Sequence, residues 1–335
     1  MKVMQLDKPG PAASQPLRVT ERDIPDPGTG QVLLRVLTCG VCHTDLHIVE
    51  GEIPLPKLPI VPGHEIVGEV VRLGPGAEGL HPGERVGVAW IGDTCGHCLF
   101  CLSGRENLCP DIRFTGLHHA GGYAQYAVAQ ASFCYPIPGR YDNVSAAPLL
   151  CAGIIGWRAI RRAGIQPGER VGLLGFGASA HITLQVLRAW GCEVGVITRS
   201  AEHRELALTL GAAWALPYTQ APPHLLERAI IFTPAGETVL AALERLQPGG
   251  VLAIASVHLS EIPPLDHDRL LLGEREIRSV TASTRHDART FLALADQIPL
   301  RLDTETFQLE EAGLALLRLK EGRLRQAAAV LRIAE

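Results

Sequence analysis

The chain has 335 residues, of which 47% are hydrophobic and 20% charged, and its formal net charge at pH 7 is -4. This length suits two domains, each with its own core. A weak negative charge gives no basic surface for nucleic acid or an anionic membrane, and no apolar run reaches the length of a bilayer span. The first residues, MKVMQLDKPG, lack the apolar segment of an export signal. We therefore expect a cytoplasmic protein with neither a nucleic-acid nor a membrane partner.

Residues 1 to about 145 have the pattern of an irregular β domain. Short runs rich in β-branched residues, at 31–42, 65–74 and 85–90, are separated by Gly and Pro turn signals. The sequence therefore predicts a first domain made mostly of strands.

Four cysteines follow these strands in the segment CGHCLFCLSGRENLC, namely Cys95, Cys98, Cys101 and Cys109. Four thiolates at this spacing can close a tetrahedral zinc site, with sulfur bonds of about 2.3 Å and no open position. Chance clustering or disulfides are the alternative, but the chain has only nine cysteines in total. The weak net charge argues against a nucleic-acid-binding zinc module. We expect a structural zinc, which by itself does not indicate an activity.

From about residue 146 the pattern changes to strands that alternate with helices. In chain order these are strand 169–175, helix 178–190, strand 193–198, helix 201–211, strand 228–233, helix 237–246 and strand 251–256. This alternation is typical of a doubly wound parallel sheet. The sequence therefore predicts an α/β protein in which 146–284 form the second domain. A helix and a closing strand within 285–335 would return to the first domain, 1–145.

A glycine-rich loop joins the first predicted strand of the second domain to its first helix. The loop consists of Gly175, Phe176, Gly177, Ala178, Ser179 and Ala180. Gly175 permits a tight turn, Gly177 lets the backbone approach a pyrophosphate, and Ala180 keeps helix and strand close. The N–H groups at the start of the helix would bind phosphate oxygens. Such a motif alone can be an ordinary turn, but between a strand and a helix it predicts a dinucleotide site.

The end of the next predicted strand indicates which dinucleotide binds. NAD sites usually carry an acidic residue there, which accepts a hydrogen bond from the ribose 2′-hydroxyl. This strand instead ends at Thr198, Arg199 and Ser200. A neutral residue beside an arginine suits a 2′-phosphate, so we expect NADP rather than NAD. Two alternatives stay open: Arg199 as an ordinary surface charge, and Glu202 as a ribose ligand.

Three further residues have the donor atoms of a catalytic zinc site. Cys42, His64 and Cys151 would supply two thiolates and one imidazole, which leaves a fourth position for water or substrate. Each also has an ordinary explanation, as a buried thiol or a hydrogen-bonded core histidine. Their spacing does not by itself join them.

Several motifs, in one order along the chain, connect these residues. They are GVCHTDLH, the GHE run from Gly63 to Gly74, the four-cysteine segment, GGYAQYA (121–127), AAPLLCAG (146–153) and GFGASA. This set resembles the zinc-dependent medium-chain dehydrogenase/reductases, specifically the alcohol dehydrogenases, over essentially the whole chain. The resemblance implies a GroES-like β domain interrupted by a Rossmann domain, with the active site in the cleft between them. It also implies two zinc ions per chain, one on the four-cysteine segment and one on Cys42, His64 and Cys151.

The same resemblance assigns a proton path to the segment after Cys42. Thr44 would take the proton of an alcohol and pass it by way of the cofactor ribose to His47, because imidazoles exchange protons near neutral pH. His43 would contact the cofactor phosphates, although a solvated turn residue is an equal alternative. Thr44 and Asp45 could also act as a helix N-cap pair.

Four more residues have roles by resemblance. Asp45 would orient the His64 ring from behind the metal ligands. Glu65 would sit behind the metal. Trp90 would line and narrow the substrate pocket, while the smaller Ile53 would leave room for longer or aryl chains. Trp90 could alternatively be an ordinary core residue.

The leading interpretation is reversible oxidation of a primary alcohol to an aldehyde with zinc and NAD(P). Family members form dimers or tetramers, so we expect a homo-oligomer. An NADPH-dependent aldehyde reductase of the cinnamyl-alcohol dehydrogenase type is the close alternative, and Thr198 favours it. The intact set of Cys42, His64 and Cys151 argues against a zinc-free, quinone-reductase-like relative. A non-catalytic binding protein is the remaining alternative. Zinc content separates the classes, because the enzyme would hold two metal ions per chain, and the quinone-reductase-like relative or the binding protein one or none.

Overall fold

The structure, a computed structural model, describes residues 1–334. It divides into two compact units. The first consists of Met1–Cys151, Ala282–Gln297 and the segment from Leu302 onward, and the second of Ala152–Thr281 with Ile298–Arg301. Cys151 thus lies in the first unit, although a division at residue 145 would put it in the second.

Short strands dominate the first part of the chain, and strands alternate with helices in the middle part. The strands are β1 (Lys2–Leu6), β2 (Leu17–Glu21), β3 (Gln31–Val41), β4 (Glu65–Leu73), β5 (Arg85–Val88), β6 (Ile91–Asp93), β7 (Arg113–Phe114), β8 (Tyr126–Gln130), β9 (Cys134–Pro136), β10 (Arg170–Leu174), β11 (Glu193–Ile197), β12 (Trp214–Leu216), β13 (Leu226–Ile231), β14 (Leu246–Ile254), β15 (Glu276–Ser279), β16 (Thr304–Gln308) and β17 (Ala328–Arg332). The α-helices are α1 (His43–Glu50), α2 (Leu99–Leu102), α3 (Asn143–Ala146), α4 (Ala152–Ala163), α5 (Ala178–Ala189), α6 (Ala201–Thr209), α7 (Glu237–Leu243), α8 (His267–Leu270), α9 (Arg285–Gln297) and α10 (Ala312–Lys320). Short 3₁₀ turns lie at Ala12–Ser14, Glu106–Leu108, Ala131–Phe133, Ala147–Leu150 and Leu309–Glu311.

A seven-stranded sheet organises the first unit. Its order is β16-β17-β3-β4-β5-β9, and β8 also pairs with β3. The first half of β3 pairs with β8 and its last four residues pair with β17, so β3 is central and buried along nearly its whole length. The closing strand β17 thereby packs against the strand that leads directly to Cys42.

A six-stranded sheet organises the second unit. Its order is β12-β11-β10-β13-β14-β15, and every neighbouring pair is parallel. This is the doubly wound order in which the first strand, β10, lies at the centre, between β11 and β13. The expected doubly wound parallel sheet is confirmed. In such sheets ligands bind beyond the carboxyl ends of the strands where the order reverses, here at β10 and β13.

The observed elements that correspond to predicted ones differ from them mainly at their ends. Helix α7 ends at Leu243 and β14 begins at Leu246, whereas the sequence pattern predicts a helix up to 246 and a strand from 251. Leu246 pairs with Leu226 of β13, so a contact between distant segments decides a boundary that local periodicity placed elsewhere. The elements without a counterpart among the predicted ones include strands β12, β15 and β16 and helices α4 and α10.

One helical stretch of the described residues, Asn143–Ala163, is long and apolar enough to span a membrane by length and hydropathy alone. This corrects the expectation that no run reaches that length. Within its most apolar window, 61% is buried inside the protein. The 3₁₀ turn at Ala147–Leu150 interrupts it, and Arg161 and Arg162 lie in its last turn. These features are typical of a core helix of a globular protein.

Candidate metal centres and cofactor loop

The carboxylate of Asp45 fixes the amino end of α1. Cys42 precedes the helix in extended backbone, and its N–H donates to Asp45 Oδ2 at 3.0 Å. The other oxygen, Oδ1, accepts the N–H of Gly63 and bonds to His64 Nδ1, both at 3.0 Å. The Asp45 side chain is completely buried. Asp45 therefore caps the helix and also ties the Cys42 segment to the His64 segment.

The His64 ring is completely buried, and only one of its nitrogens has a partner. Asp45 holds Nδ1, while Nε2 makes no hydrogen bond within the described chain. Burial alone would lower the pKa of His64, but the negative charges of Asp45 and Cys42 outweigh it and raise that pKa well above its usual value. A buried ring nitrogen without a hydrogen-bond partner is suited to bind a cation, which would displace its proton.

Four side chains converge on this ring. The donor atoms of Cys42, His64, Glu65 and Cys151 all lie within 4.8 Å of one another. The Sγ atoms of Cys42 and Cys151 are 3.8 Å apart. Sulfur bonds of about 2.3 Å in a tetrahedral zinc site give an S···S edge of about 3.8 Å. The residues present therefore fit a zinc ion in both chemistry and spacing.

Electrostatics at this cluster favour a thiolate on Cys42. The Cys151 thiol donates towards Cys42, and together with His64 it outweighs burial and lowers the pKa of Cys42 well below its usual value. The same interaction, together with burial, raises the pKa of Cys151. Burial and the Cys42 charge raise the pKa of Glu65. A cation among these groups would stabilise their ionised forms and release the protons that they hold.

Two glycines, to which the sequence analysis gave no role of their own, make room for the cluster. Gly40 pairs with Glu65 across β3 and β4, and a Cβ at position 40 would lie 1.8 Å from Glu65 Oε2. Gly63 has a φ of +100° and lies so close to Tyr123 that a Cβ would be 2.8 Å from its backbone nitrogen. The sequence signal for both was their position, because Gly40 is the first residue of GVCHTDLH and Gly63 is the first residue of GHE.

The predicted proton-path residues lie along α1. Thr44 is buried, with its hydroxyl 3.9 Å from Cys42 Sγ. His47 lies one turn further on, has a side chain that is 18% exposed, and pairs through Nδ1 with Glu52. The side chain of His43 is exposed. Helical spacing therefore puts Thr44 and His47 on neighbouring positions of one face, the first buried and the second reachable by water.

The four cysteines of the 95–109 segment form a second cluster. Their sulfur atoms lie within 4.8 Å of one another, with Cys95 3.9 Å from Cys101 and 3.5 Å from Cys109. The N–H groups of His97 and Cys98 point at Cys95 and lower the pKa of its thiol to about 6. Four sulfurs at the edge length of a tetrahedron fit a closed zinc site.

The glycine-rich loop joins β10 to α5 in the second unit. Gly175 has a φ of +90°, and a Cβ there would lie 2.6 Å from Thr233 Cγ2, so the turn requires glycine. Gly177 precedes α5, and a Cβ there would meet nothing within 4 Å. Phe176 and Ala180 are buried. A tight turn, an open backbone and a helix amino end together fit a dinucleotide pyrophosphate.

The loop after β11 carries the residues expected to select the dinucleotide. Thr198 is buried, Arg199 is exposed, and Ser200 caps α6 by accepting the N–H of His203 at 3.2 Å. Arg204, which the sequence analysis did not single out, donates through Nη1 to the carbonyl oxygens of Thr198 and Arg199 at 2.9 and 2.8 Å. Two guanidinium groups, those of Arg199 and Arg204, therefore lie at this loop.

Aromatic rings lie beside the first metal cluster. The rings of His64 and Trp90 meet edge to face, with centroids 5.0 Å apart. Phe114, which no sequence motif indicated, stacks on Trp90 with centroids 4.5 Å apart and planes 9° from parallel. Ile53 is half-buried against the hydrophobic core of the first unit. Of the two predicted pocket residues, the structure brings Trp90 into direct contact with a candidate ligand.

The chain and its fold match known proteins. The family described as "Alcohol dehydrogenase GroES-like domain" matches residues 28–139, and the family described as "Zinc-binding dehydrogenase" matches residues 180–297. "Probable alcohol dehydrogenase AdhA" of Mycobacterium tuberculosis is 47% identical over 337 residues, which cover 99% of this chain and 97% of that protein. This chain belongs to the zinc-dependent alcohol dehydrogenase family.

Other members of the zinc-dependent alcohol dehydrogenase family are similar over nearly the full length. An alcohol dehydrogenase of Geobacillus stearothermophilus is 35% identical over 317 residues, covering 92% of this chain and 93% of that protein. The solved structure of a thermostable alcohol dehydrogenase from Pyrobaculum aerophilum superimposes with a TM-score of 0.90 at 28% identity, covering 100% of this chain and 99% of that one. The expected class, a GroES-like domain with a Rossmann sheet, is confirmed. The chain is an oxidoreductase of the alcohol dehydrogenase type.

Proposed function

We propose that this chain transfers hydride reversibly between a primary alcohol or its aldehyde and NAD(P), with two zinc ions per chain. The observation that carries the proposal is the buried cluster of Cys42, His64, Glu65 and Cys151, in which His64 Nε2 has no hydrogen-bond partner among the described residues. A purely structural core would leave that buried nitrogen uncompensated.

In this proposal each cluster holds one zinc ion, and the two ions have different roles. Cys42, His64 through Nε2, and Cys151 hold the catalytic zinc, and the four cysteines of the 95–109 segment hold a structural one. When bound, zinc supplies a Lewis acid for the substrate oxygen and NAD(P) supplies the hydride acceptor or donor. Asp45 keeps the His64 proton on Nδ1, so that Nε2 presents its lone pair. Glu65 stays behind the ligands in the space that Gly40 leaves.

The proton of the alcohol needs a route to water, and α1 offers one. The Thr44 hydroxyl can accept a proton while donating its own, since a hydroxyl is both donor and acceptor. His47 lies one turn along the same face with its ring partly exposed, and there it exchanges protons with solvent. The pairing of His47 with Glu52 orients the ring for that exchange.

For the cofactor we propose NADP in preference to NAD. The loop from Gly175 to Ala180 binds the pyrophosphate at the amino end of α5, and His43 contributes a phosphate contact. Arg199 and Ser200, with Arg204 beside them, bind the 2′-phosphate by charge-assisted hydrogen bonds. Support comes from the absence of an acidic residue at Thr198 and from the hydrogen bonds that hold Arg204 in the loop.

A second candidate, favoured by the same loop, is an NADPH-dependent aldehyde reductase of the cinnamyl-alcohol dehydrogenase type. It would use the same residues but catalyse the reaction in the direction of aldehyde reduction. In the first candidate Trp90 narrows the pocket in favour of small alcohols, whereas in the second the short side chain of Ile53 leaves room for longer or aryl chains. The two candidates therefore differ in direction and in substrate size rather than in chemistry.

The test is a set of initial rates with purified, zinc-loaded protein. Aldehyde reduction is measured with NADPH and with NADH on one short aliphatic and one aryl aldehyde, and the alcohols are measured in reverse. A strong preference for NADPH supports the Arg199 assignment and the reductase. A preference for NADH supports alcohol oxidation as the main direction. No rate with either cofactor, at two zinc ions per chain, would refute the proposed function.

We also propose a homo-oligomer, a dimer or a tetramer, located in the cytoplasm. Strand β15 is at the edge of its sheet, pairs only with β14 among the described residues, and exposes Ile277. All nine cysteines are free thiols, which suits a reducing compartment. Light scattering on the purified protein measures the number of subunits.

A further inference from the structure

Four aromatic side chains form a row that starts at the candidate ligand His64. Trp90 meets the His64 ring edge to face, Phe114 stacks on Trp90, and His118 packs on Phe114 with centroids 5.6 Å apart and planes at 53°. All four belong to the first unit. Trp90, Phe114 and His118 are only partly buried, so part of this aromatic wall, Trp90-Phe114-His118, is accessible to solvent.

The turn after β7 fixes the backbone at Phe114 and thereby the position of its ring. The N–H of Phe114 donates to His118 Nδ1 at 3.2 Å, and the N–H of His118 donates back to the Phe114 carbonyl at 2.9 Å. The next residue, Thr115, donates its N–H to the carbonyl of Trp90 at 2.9 Å. Gly116, with a φ of +77°, lets the chain turn so sharply. The stack on Trp90 therefore depends on a side chain four residues further on.

The bond from Phe114 requires an unprotonated Nδ1 on His118. An imidazole nitrogen accepts a hydrogen bond only when it carries no proton. Burial, together with the charges of Arg113 and Lys57, lowers the pKa of His118 below its usual value. The neighbouring His119 is subject to the same two cations and also to Asp93, and its pKa too is lowered, chiefly by burial. His118 is therefore neutral at physiological pH and accepts the bond.

We propose that His118 is a positioning residue for the substrate site, because it holds the Phe114 ring flat against Trp90 and so completes a wall that selects aromatic alcohols and aldehydes. This inference rests on the proposed function and adds a substrate class to it. An aromatic pair in offset or edge contact gains about 0.5–1.5 kcal/mol beyond the area that it buries, which is about 2- to 12-fold in binding. A short aliphatic alcohol has no ring to gain this contact.

The experiment compares benzyl alcohol with propan-1-ol at saturating cofactor in the wild type, H118L and H118N. Leucine removes the acceptor, whereas the Oδ1 of asparagine can take the place of Nδ1 without titrating. For H118L we expect KM for benzyl alcohol to rise roughly 3- to 10-fold at neutral pH, with kcat and the KM for propan-1-ol unchanged. H118N restores the low KM.

The pH profile gives a second readout that a merely structural role would not change. As the pH falls below the usual histidine range, His118 becomes protonated, so KM for benzyl alcohol rises in the wild type while KM for propan-1-ol does not follow. In H118N the ratio of the two KM values stays flat over the same range. A matching titration of the ratio in H118N would overturn the assignment.

Phe114→Leu supplies an independent variant in case H118L unfolds. It keeps an apolar side chain but removes the ring, and we expect the same selective rise in KM for benzyl alcohol. Unchanged KM values in F114L and H118L, or equal rises for both alcohols, would refute the inference while the proposed function stands. If the wild type oxidises neither alcohol with either cofactor, the proposed function fails and the inference fails with it.

Discussion

Replacing Asp45 by asparagine tests the centre of the site most directly. The carboxylate accepts three hydrogen bonds, one on Oδ2 from Cys42 and two on Oδ1 from Gly63 and His64. An amide has only one accepting oxygen, so at least one bond is lost. In the better orientation the oxygen keeps the two bonds of Oδ1, and the amide NH₂ then faces the N–H of Cys42.

The expected cost follows from that loss. A hydrogen bond to a charged group, together with the burial of an unpaired donor, is worth about 2–3 kcal/mol. An unfolding entropy of about 2.1 cal/mol/K per residue gives about 0.7 kcal/mol/K for 335 residues, so the unfolding temperature should fall by roughly 3–4 °C. Removing a carboxylate that orients a metal-bound histidine lowers metal affinity about 10- to 100-fold. We therefore expect D45N to be less stable and also to bind less tightly the zinc that we propose on Cys42, His64 and Cys151.

The assay combines thermal unfolding with zinc competition against a chelator. The matched control is D266N, because Asp266 is exposed and caps α8 by accepting the N–H of Arg269 at 3.1 Å. Asparagine caps a helix as well as aspartate does, so D266N should change the free energy of unfolding by less than about 0.5 kcal/mol. A D45N protein with wild-type melting and wild-type zinc affinity would refute the reasoning that Asp45 joins the two ligand segments.

Three further predictions concern the two metal clusters, the cofactor loop and an ion pair. C42S should abolish turnover and leave the protein folded, whereas C98S should chiefly lower the melting temperature. Initial rates and thermal unfolding measure the two effects. The reverse pattern would mean that the cluster with Cys98 is the catalytic one and the cluster with Cys42 the structural one. T198D should raise the ratio of kcat/KM with NADH to kcat/KM with NADPH. An unchanged ratio would mean that the cofactor ribose does not bind at Thr198. Burial raises the pKa of Glu50, but hydrogen bonds, chiefly from Lys320, outweigh it and lower that pKa below the usual value. Its contribution to stability is thus present at neutral pH and lost as the pH falls through the lowered pKa. E50Q should lower the free energy of unfolding by about 1 kcal/mol at pH 7. The difference in unfolding temperature between E50Q and the wild type should disappear in acid. A difference that does not change with pH would contradict this role of Glu50.

Features encoded in short segments could be predicted from the sequence. The four cysteines between 95 and 109 lie in one turn-rich segment, and the chain needs no distant contact to bring their sulfurs together. The loop at Gly175 likewise follows from a strand, a tight turn and a helix that adjoin along the chain. Both depend on local backbone geometry, which residue type and spacing largely decide.

Contacts between distant segments could not be predicted in this way. Cys42 and Cys151 are 109 positions apart, and only the resemblance to a family, not their spacing, joined them to His64. The three bonds of Asp45 need both α1 and the Gly63 segment in place. Phe114 and His118 have no sequence signal at all, because stacking on Trp90 depends on a strand pairing of two short elements, β6 and β7.

The sequence by itself determined the local pieces of this protein: the cysteine cluster, the glycine-rich loop, the alternation of strands and helices between residues 169 and 256, and the residue types that can bind zinc. The tertiary structure alone decided which of those pieces meet. It set Glu65 against Gly40, left His64 Nε2 without a hydrogen-bond partner, and brought Arg204 to the loop after β11. The physical reason is the distance along the chain over which each interaction acts. Backbone preferences act over a few residues, whereas burial and sheet pairing act between segments that are far apart in the chain.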